Sequence, residues 1–270
     1  MHALFESPLE PFESPKELLN GTKERLTELE ALCQSVSETR DYEFITHIDP
    51  KTREKVIKLR LKRKFPPRIR TLASSIMKEM RIALDQAFCE AAVALGRRDA
   101  KGIYFPFGRD PEDLKEVVKR NCVGVDRRLI NYCLGFKPYY GGDSDGILWS
   151  MSRLAGTTHQ KIIGAGFQDT TSFGEAVVKA VGPLQLIINK WDSLHNELEV
   201  ARLTPQSELR IKKDFTLRLN IIFIGSAHAL SYRPLVQSLY NLLGIVMSIV
   251  FEIEAETARL LREDSASNVI

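Results

Sequence analysis

Residues 67–96 read PRIRTLASSIMKEMRIALDQAFCEAAVALG, and the spacing within them decides the fold class. Ile69, Leu72, Ile76, Met80, Ala83, Leu84, Ala87, Phe88, Ala91 and Leu95 recur every three or four residues. That period puts them on one side of an α-helix. The small residues Ala83, Ala87, Ala91, Ala92 and Ala94 would let a second helix approach its backbone closely. Proline is tolerated in a first helical turn and glycine favours an end, so Pro67 and Gly96 bracket a long central helix.

Upstream, the period changes from helical to alternating. Tyr42, Phe44, Thr46 and Ile48 alternate with other residues, and Ile57, Leu59 and Leu61 alternate with Lys58, Arg60 and Lys62. The turn sequence Asp49-Pro50-Lys51-Thr52 lies between them, so a β-hairpin is expected, ended by Pro66-Pro67. Before it, Leu18, Leu19, Leu26, Leu29 and Leu32 give a helix opened by Ser14 and Pro15 and ending near Ser37. Residues 1–14, rich in proline, serine and glutamate, read as a flexible lead.

Downstream, Asp110-Pro111-Glu112-Asp113 is a helix start, with acids at the positive end of the dipole. A short helix is expected near residues 127–134, and a longer one carries Ile147, Leu148, Met151, Leu154 and Ala155. GAGF at 164–167 reads as a helix end, and residues 173–181 as a short strand or turn. Alternation returns at Leu184, Leu186 and Ile188, at Leu198 and Val200, and from Phe215 to Phe223. A final helix spans about 233–262, with the stripe Leu235, Leu239, Leu242, Val246, Ile249, Val250 and Ile253. Segregated strands and helices imply an α+β fold. A helical core with a long central helix should stand with a small antiparallel sheet formed by the N-terminal hairpin and the C-terminal strands. Residues 15–262 are expected to form one domain, with 263–270 as a frayed tail.

The 270 residues are 44% hydrophobic and 27% charged, which excludes a largely disordered chain. Net charge is +3, which permits an anionic partner without requiring one. Cys33, Cys89, Cys122 and Cys133 form no C-x-x-C pair and lack zinc-ligand spacing to any histidine, so free thiols and no bound metal are expected. Residues 1–15 hold no apolar run of the secretory type, and the apolar stretch 242–251 is half a membrane span, so a cytoplasmic protein is expected. No phosphate loop, dinucleotide fingerprint, H-E-x-x-H or G-x-S-x-G is present, and no cofactor is anticipated. Asp143 and Asp145 lack the following glutamate of a calcium loop, and Asp143 or Ser144 reads instead as the cap of a helix beginning near Asp145.

Four groups could carry chemistry. Arg153 and His159 are spaced R-x5-H, and such a pair can stabilise a charged phosphorane and move a 2′-hydroxyl proton. Arg81 and Asp85 lie four apart on the central helix and share a face, as an ion pair or with Asp85 orienting His159. Lys58, Arg60, Lys62 and Lys64, in a run of cations that continues through Arg63, Arg68 and Arg70, would point to one side of a strand able to track phosphates. The loop 139–146 is the fourth, as a cap.

The R-x5-H spacing of Arg153 and His159 resembles the loose motif of the HEPN superfamily, helical domains that include ribonucleases. The order of pieces also resembles a set of bacterial proteins without assigned activity. It runs Met80-Arg81-Ile82-Ala83-Leu84-Asp85 for an L-R-S-A-L-D-like helix, Phe105-Pro106-Phe107, Pro138-Tyr139, Leu148-Trp149 through Leu154, and Thr157-Thr158-His159-Gln160 for a D-K-H-R-like turn. The last departs from the pattern, because Thr157, Thr158 and Gln160 replace its acid, lysine and arginine. Two functions are therefore expected to compete. One is a non-enzymatic interaction or oligomerisation module, working as a homo-oligomer. The other is an RNA-binding or RNA-cleaving protein using Arg153, His159 and Asp85, with RNA held by Lys58, Arg60, Lys62 and Lys64. No membrane partner is expected.

Overall fold

The structure, a computed structural model, describes residues 10–142, 146–157, 164–169, 176–192, 194–212, 216–224 and 229–267. In chain order the elements are α1 (Glu13–Ser37), β1 (Glu38–Thr39), β2 (Tyr42–Ile48), β3 (Lys55–Leu61), α2 (Pro67–Ala94), α3 (Pro111–Asn121), α4 (Arg127–Leu134) and α5 (Ile147–Thr157). Then follow β4 (Ala165–Asp169), β5 (Val177–Val181), β6 (Leu184–Asp192), β7 (Glu197–Leu203), β8 (Glu208–Ile211), β9 (Leu217–Phe223) and a last helix, α6 (Leu235–Ser267). The fold is α+β with a long C-terminal helix. Its chain divides into two compact units: Met1–Thr27, Leu72–Ile162 and Leu239–Ile270 form one, and Glu28–Thr71 with Ile163–Ser238 the other.

The first unit is helical. In α2 the expected stripe is buried, with Ile76, Met80, Ala83, Leu84, Ala87, Phe88 and Ala91 each fully shielded from solvent. In α6, Leu239, Leu242, Val246, Val250, Ile253 and Leu260 are likewise fully buried. Each such leucine, isoleucine, methionine or phenylalanine contributes roughly 1.5–3 kcal/mol relative to exposure. Among the described residues α6 is also the one helix long and apolar enough to cross a membrane, with a window of mean hydropathy 1.6 of which 44% is buried. Its buried positions recur at helical spacing, and Glu254 on another face pairs with Lys16 of α1 at 2.6 Å. That is the pattern of a core helix. It runs to Ser267, beyond the expected end near Arg262, and Arg128 of α4 holds Asp264 near its end at 2.7 Å.

The second unit holds the sheets. Four strands run in the order β2-β3-β7-β6, all antiparallel, so the N-terminal hairpin pairs with the C-terminal strands as expected. Three more run β1-β9-β4, and β5 with β8 makes a two-stranded ribbon. Phe167 of β4 stacks edge-on against Phe65 at 5.0 Å and Trp191 of β6 at 5.3 Å, closing the core between sheets.

Several expectations are corrected. The segment Ala165–Asp169 is a strand, not a helix end, because β9 offers a partner from Ala165↔Phe223 to Asp169↔Leu219. Gly166 is needed there, since a Cβ would fall 2.5 Å from Trp191 Cδ1 and 2.1 Å from Ile224 Cδ1. The lead is anchored before Ser14: α1 starts at Glu13, Phe12 is 3% exposed, and its N–H donates to the Glu90 carboxylate. Strand β3 ends at Leu61, so Lys62 and Lys64 do not continue its face. The Asn196 amide terminates it by donating to the carbonyls of Leu61 at 2.6 Å and Arg63 at 2.8 Å. The cap expected at Asp143 or Ser144 lies outside the described residues.

Candidate anion-binding pocket

The site begins with two residues one turn apart on α2. Arg81 Nε donates to Asp85 Oδ2 at 3.2 Å, and Asp85 Oδ1 accepts the Phe105 N–H at 2.9 Å. Arg81 then uses its other nitrogens. Nη2 donates to the Phe105 carbonyl at 3.2 Å, and Nη1 donates to the Ser152 hydroxyl of α5. Its guanidinium also lies 4.0 Å from the centre of the Phe107 ring. One cation thus ties α2 to the 103–108 segment and to α5. Burial pushes the Asp85 carboxyl above the usual range, against the pull of Arg81 and the Phe105 N–H.

The 103–108 segment, outside the named helices and strands, carries the rings of Tyr104, Phe105 and Phe107. Ile103 and Phe105 are buried while Tyr104 is 50% exposed. Phe105 packs on Phe88 at 6.1 Å and on Phe107 at 5.1 Å. Gly108 ends the segment against α3, and a Cβ there would lie 2.6 Å from Leu114 Cα. α3 starts as expected: the Asp110 side chain accepts the N–H groups of Glu112 and Asp113, with Pro111 in the first turn. Asp113 binds Arg109 twice, accepting its N–H at 2.7 Å and its Nη2 at 3.1 Å. Those bonds hold the Asp113 carboxyl below its ordinary value, so it is ionised at neutral pH.

Helix α5 supplies the facing wall. Ile147, Leu148, Met151, Leu154 and Ala155 are buried. Trp149, Ser152, Arg153 and Gly156, spaced at helical intervals, line instead a cavity of about 590 Å³. Arg81, Phe107, Arg109, Asp113 and Arg120 line its other sides. Two of the four arginines are neutralised locally, Arg81 by Asp85 and Arg109 by Asp113. Arg120 donates to the Asn121 amide oxygen at 3.2 Å and adds its charge to Arg109 in lowering the Asp113 carboxyl, while Arg153 lies 5.9 Å from the centre of the Trp149 ring. Neither forms an ion pair among the described residues.

Of the site residues expected from sequence, Arg153 lies on this cavity wall. Asp85 is bonded to Arg81, whose Nη1 donates to Ser152 on the helix that carries Arg153. His159 lies outside the described residues. Lys58 and Arg60 belong to the second unit, on an interior strand, and both are bound to Glu197, at 2.9 Å and 2.7 Å. Burial alone would raise Glu197, but hydrogen bonds from the two cations outweigh it and hold the carboxyl low. Lys62 faces Asp41 at 3.9 Å, and Lys64 is exposed just past the bend that follows β3. Arg109, Arg120, Phe107 and Trp149 were not anticipated as site residues, because no spacing links them along the chain.

Among the described residues no group of three histidine, cysteine, aspartate or glutamate side chains could hold a metal ion, and all four cysteines are free. Comparison with known proteins found no family model, no curated protein and no solved structure that matches this chain.

Proposed function

We propose that the chain is a binding module whose ligand is a small dianion held in the arginine pocket of the helical unit. The observation that carries this reading is the pair Arg120 and Arg153, cationic and unpaired among the described residues, on the wall of one cavity. With Arg81 balanced by Asp85 and Arg109 by Asp113, the remaining charge is that of two guanidinium groups. Guanidinium forks match the paired oxygens of a phosphate or carboxylate. Trp149 and Phe107 give the same cavity two aromatic surfaces, which suit a ligand with a planar apolar part. Catalysis is not needed to account for any of these groups.

Calorimetric titration with phenyl phosphate and with inorganic phosphate tests this. Saturable binding is expected for both, tighter for the aromatic ester. Each of Arg120→Ala and Arg153→Ala should weaken it roughly tenfold or more, the effect of removing a hydrogen bond to a charged group. No saturable binding to the wild type at millimolar ligand would sink the reading.

A second reading rests on Arg153 alone among the expected catalytic residues. An unpaired arginine at an open cationic cavity also suits an RNA phosphate, with His159 as the proton carrier. RNA incubated with the wild type, Arg153→Ala and His159→Ala decides it. Cleavage lost in both variants supports a ribonuclease, and equal cleavage or none by all three removes it.

A further inference from the structure

The sheet unit holds a second cavity, of about 500 Å³, between the β2-β3-β7 face and the β5–β8 ribbon. Lys55, Lys179 and Arg210 line it, with Glu208, Thr46 and Ser207. Lys179 and Arg210 are register partners across the ribbon. Directly opposed side chains on one face sit close together, and like charges there repel. Neither cation forms an ion pair among the described residues. Three other cations on the four-stranded sheet are neutralised. Arg202 is surrounded by Glu199, Asp49 and Glu54, and Lys58 and Arg60 share Glu197.

The floor of the cavity is fixed. Ser207 is 1% exposed, its hydroxyl donates to the Pro183 carbonyl at 3.0 Å, and it meets the Thr204 hydroxyl at 2.8 Å. Gly182 turns the chain from β5 to β6 at φ +85°, and a Cβ there would lie 2.5 Å from Ser207 Oγ. Lys55 Nζ donates to the Ser207 carbonyl at 3.1 Å, which leaves two of its three donors for other partners. The ribbon is therefore pinned beside the sheet with two opposed cations, a third cation nearby and one carboxylate on the rim.

We infer that this cavity is a second ligand site, taking a small dianion that bridges Lys179 and Arg210. Three cations against Glu208 leave a surplus of two positive charges, and the volume falls in the range of small-molecule sites. Phosphate monoesters and dicarboxylates share the required chemistry. An anion between the two side chains converts their repulsion into two charge-assisted bonds.

The test uses the full chain carrying Arg120→Ala and Arg153→Ala, so that the first pocket contributes nothing. It is titrated with inorganic phosphate or with malonate at fixed ionic strength. Saturable binding of one or both is expected, and the preferred anion tells phosphoryl from dicarboxylate ligands. Lys179→Gln and Arg210→Gln should each weaken it roughly tenfold or more, with Lys179→Arg retaining it. Without ligand the two glutamine variants should melt no lower than their parent, because the opposed charges are relieved. Absence of saturable binding by either anion, or binding that both glutamine variants leave unchanged, overturns the inference.

Discussion

Replacing Arg81 by methionine tests the physical account of the first pocket. The substitution keeps an unbranched apolar stem and removes the cation that binds Asp85, the Phe105 carbonyl and Ser152. Breaking a buried pair by deleting one partner costs about 3–5 kcal/mol. Here the Arg81 and Asp85 side chains retain 22% and 21% exposure, so water offsets part of that loss. A cost of about 2–3 kcal/mol remains for the pair, with about 1 kcal/mol more for the contact with Phe107. A total near 3 kcal/mol should lower the melting temperature by roughly 6–10 °C.

The pH dependence has a definite sign. Without Arg81 the Asp85 carboxyl keeps its burial and rises further above its unfolded value. An acid raised in the folded state favours folding when protonated, so stability falls as pH rises from the unfolded value through the folded one. The gap between variant and wild type should therefore narrow in acid. Urea unfolding at neutral and acidic pH measures it, and Arg81→Met with Asp85→Leu should be less destabilised than Arg81→Met alone. A single-variant cost below about 1 kcal/mol, or a double variant no better than the single, refutes the reasoning.

Three further outcomes are expected. Asp110→Ala removes the acceptor for two α3 N–H groups and should cost about 1 kcal/mol by urea unfolding, whereas Asp110→Asn should restore most of it. Gly108→Ala drives a Cβ into the α3 backbone at Leu114 and should cost about 1–3 kcal/mol, together with loss of anion binding at the pocket it borders. Asp49, Asp113, Asp126 and Glu197 all have carboxyl values held below normal, by hydrogen bonds that in Glu197 outweigh its burial. Their contribution is complete above the unfolded carboxylate values and disappears as pH falls through the folded ones, so the urea midpoint should decline below about pH 4. A midpoint that holds or rises in acid would contradict those networks.

Local signals accounted for elements that carry their own instructions. The 67–94 helix was legible because nine apolar residues within it keep one period, and α3 because Asp110 and Pro111 satisfy and shape its first turn without help from elsewhere. The hairpin was legible because its turn and both strands lie within twenty residues. Strand β4 was not, since GAGFQ has poor strand propensity and becomes a strand only beside β9, fifty residues on. β8 alternates, with Leu209 and Ile211 half-buried between exposed Glu208 and Arg210, but over four residues that is too short a signal to read, and the strand exists through its pairing with β5.

The candidate site divides along the same line. Arg81 and Asp85 could be paired on paper because four residues of helix bring two side chains together whatever surrounds them. Arg153 drew notice only through its distance from His159, which says nothing of the cavity it faces. That cavity depends on Arg109, Arg120 and Trp149, which come from the segment before α3, from α3 and from α5 and meet on its walls. The cations of 58–64 show the converse. As a run they suggested a phosphate track, yet folding ends the strand at Leu61 and places Glu197 against two of them. Period, caps and turns act over a few residues, so the amino-acid sequence alone determined the α+β class and most helices of this protein. Which charges are neutralised and which stay open to a ligand depends on partners distant along the chain, and only the tertiary structure decided that.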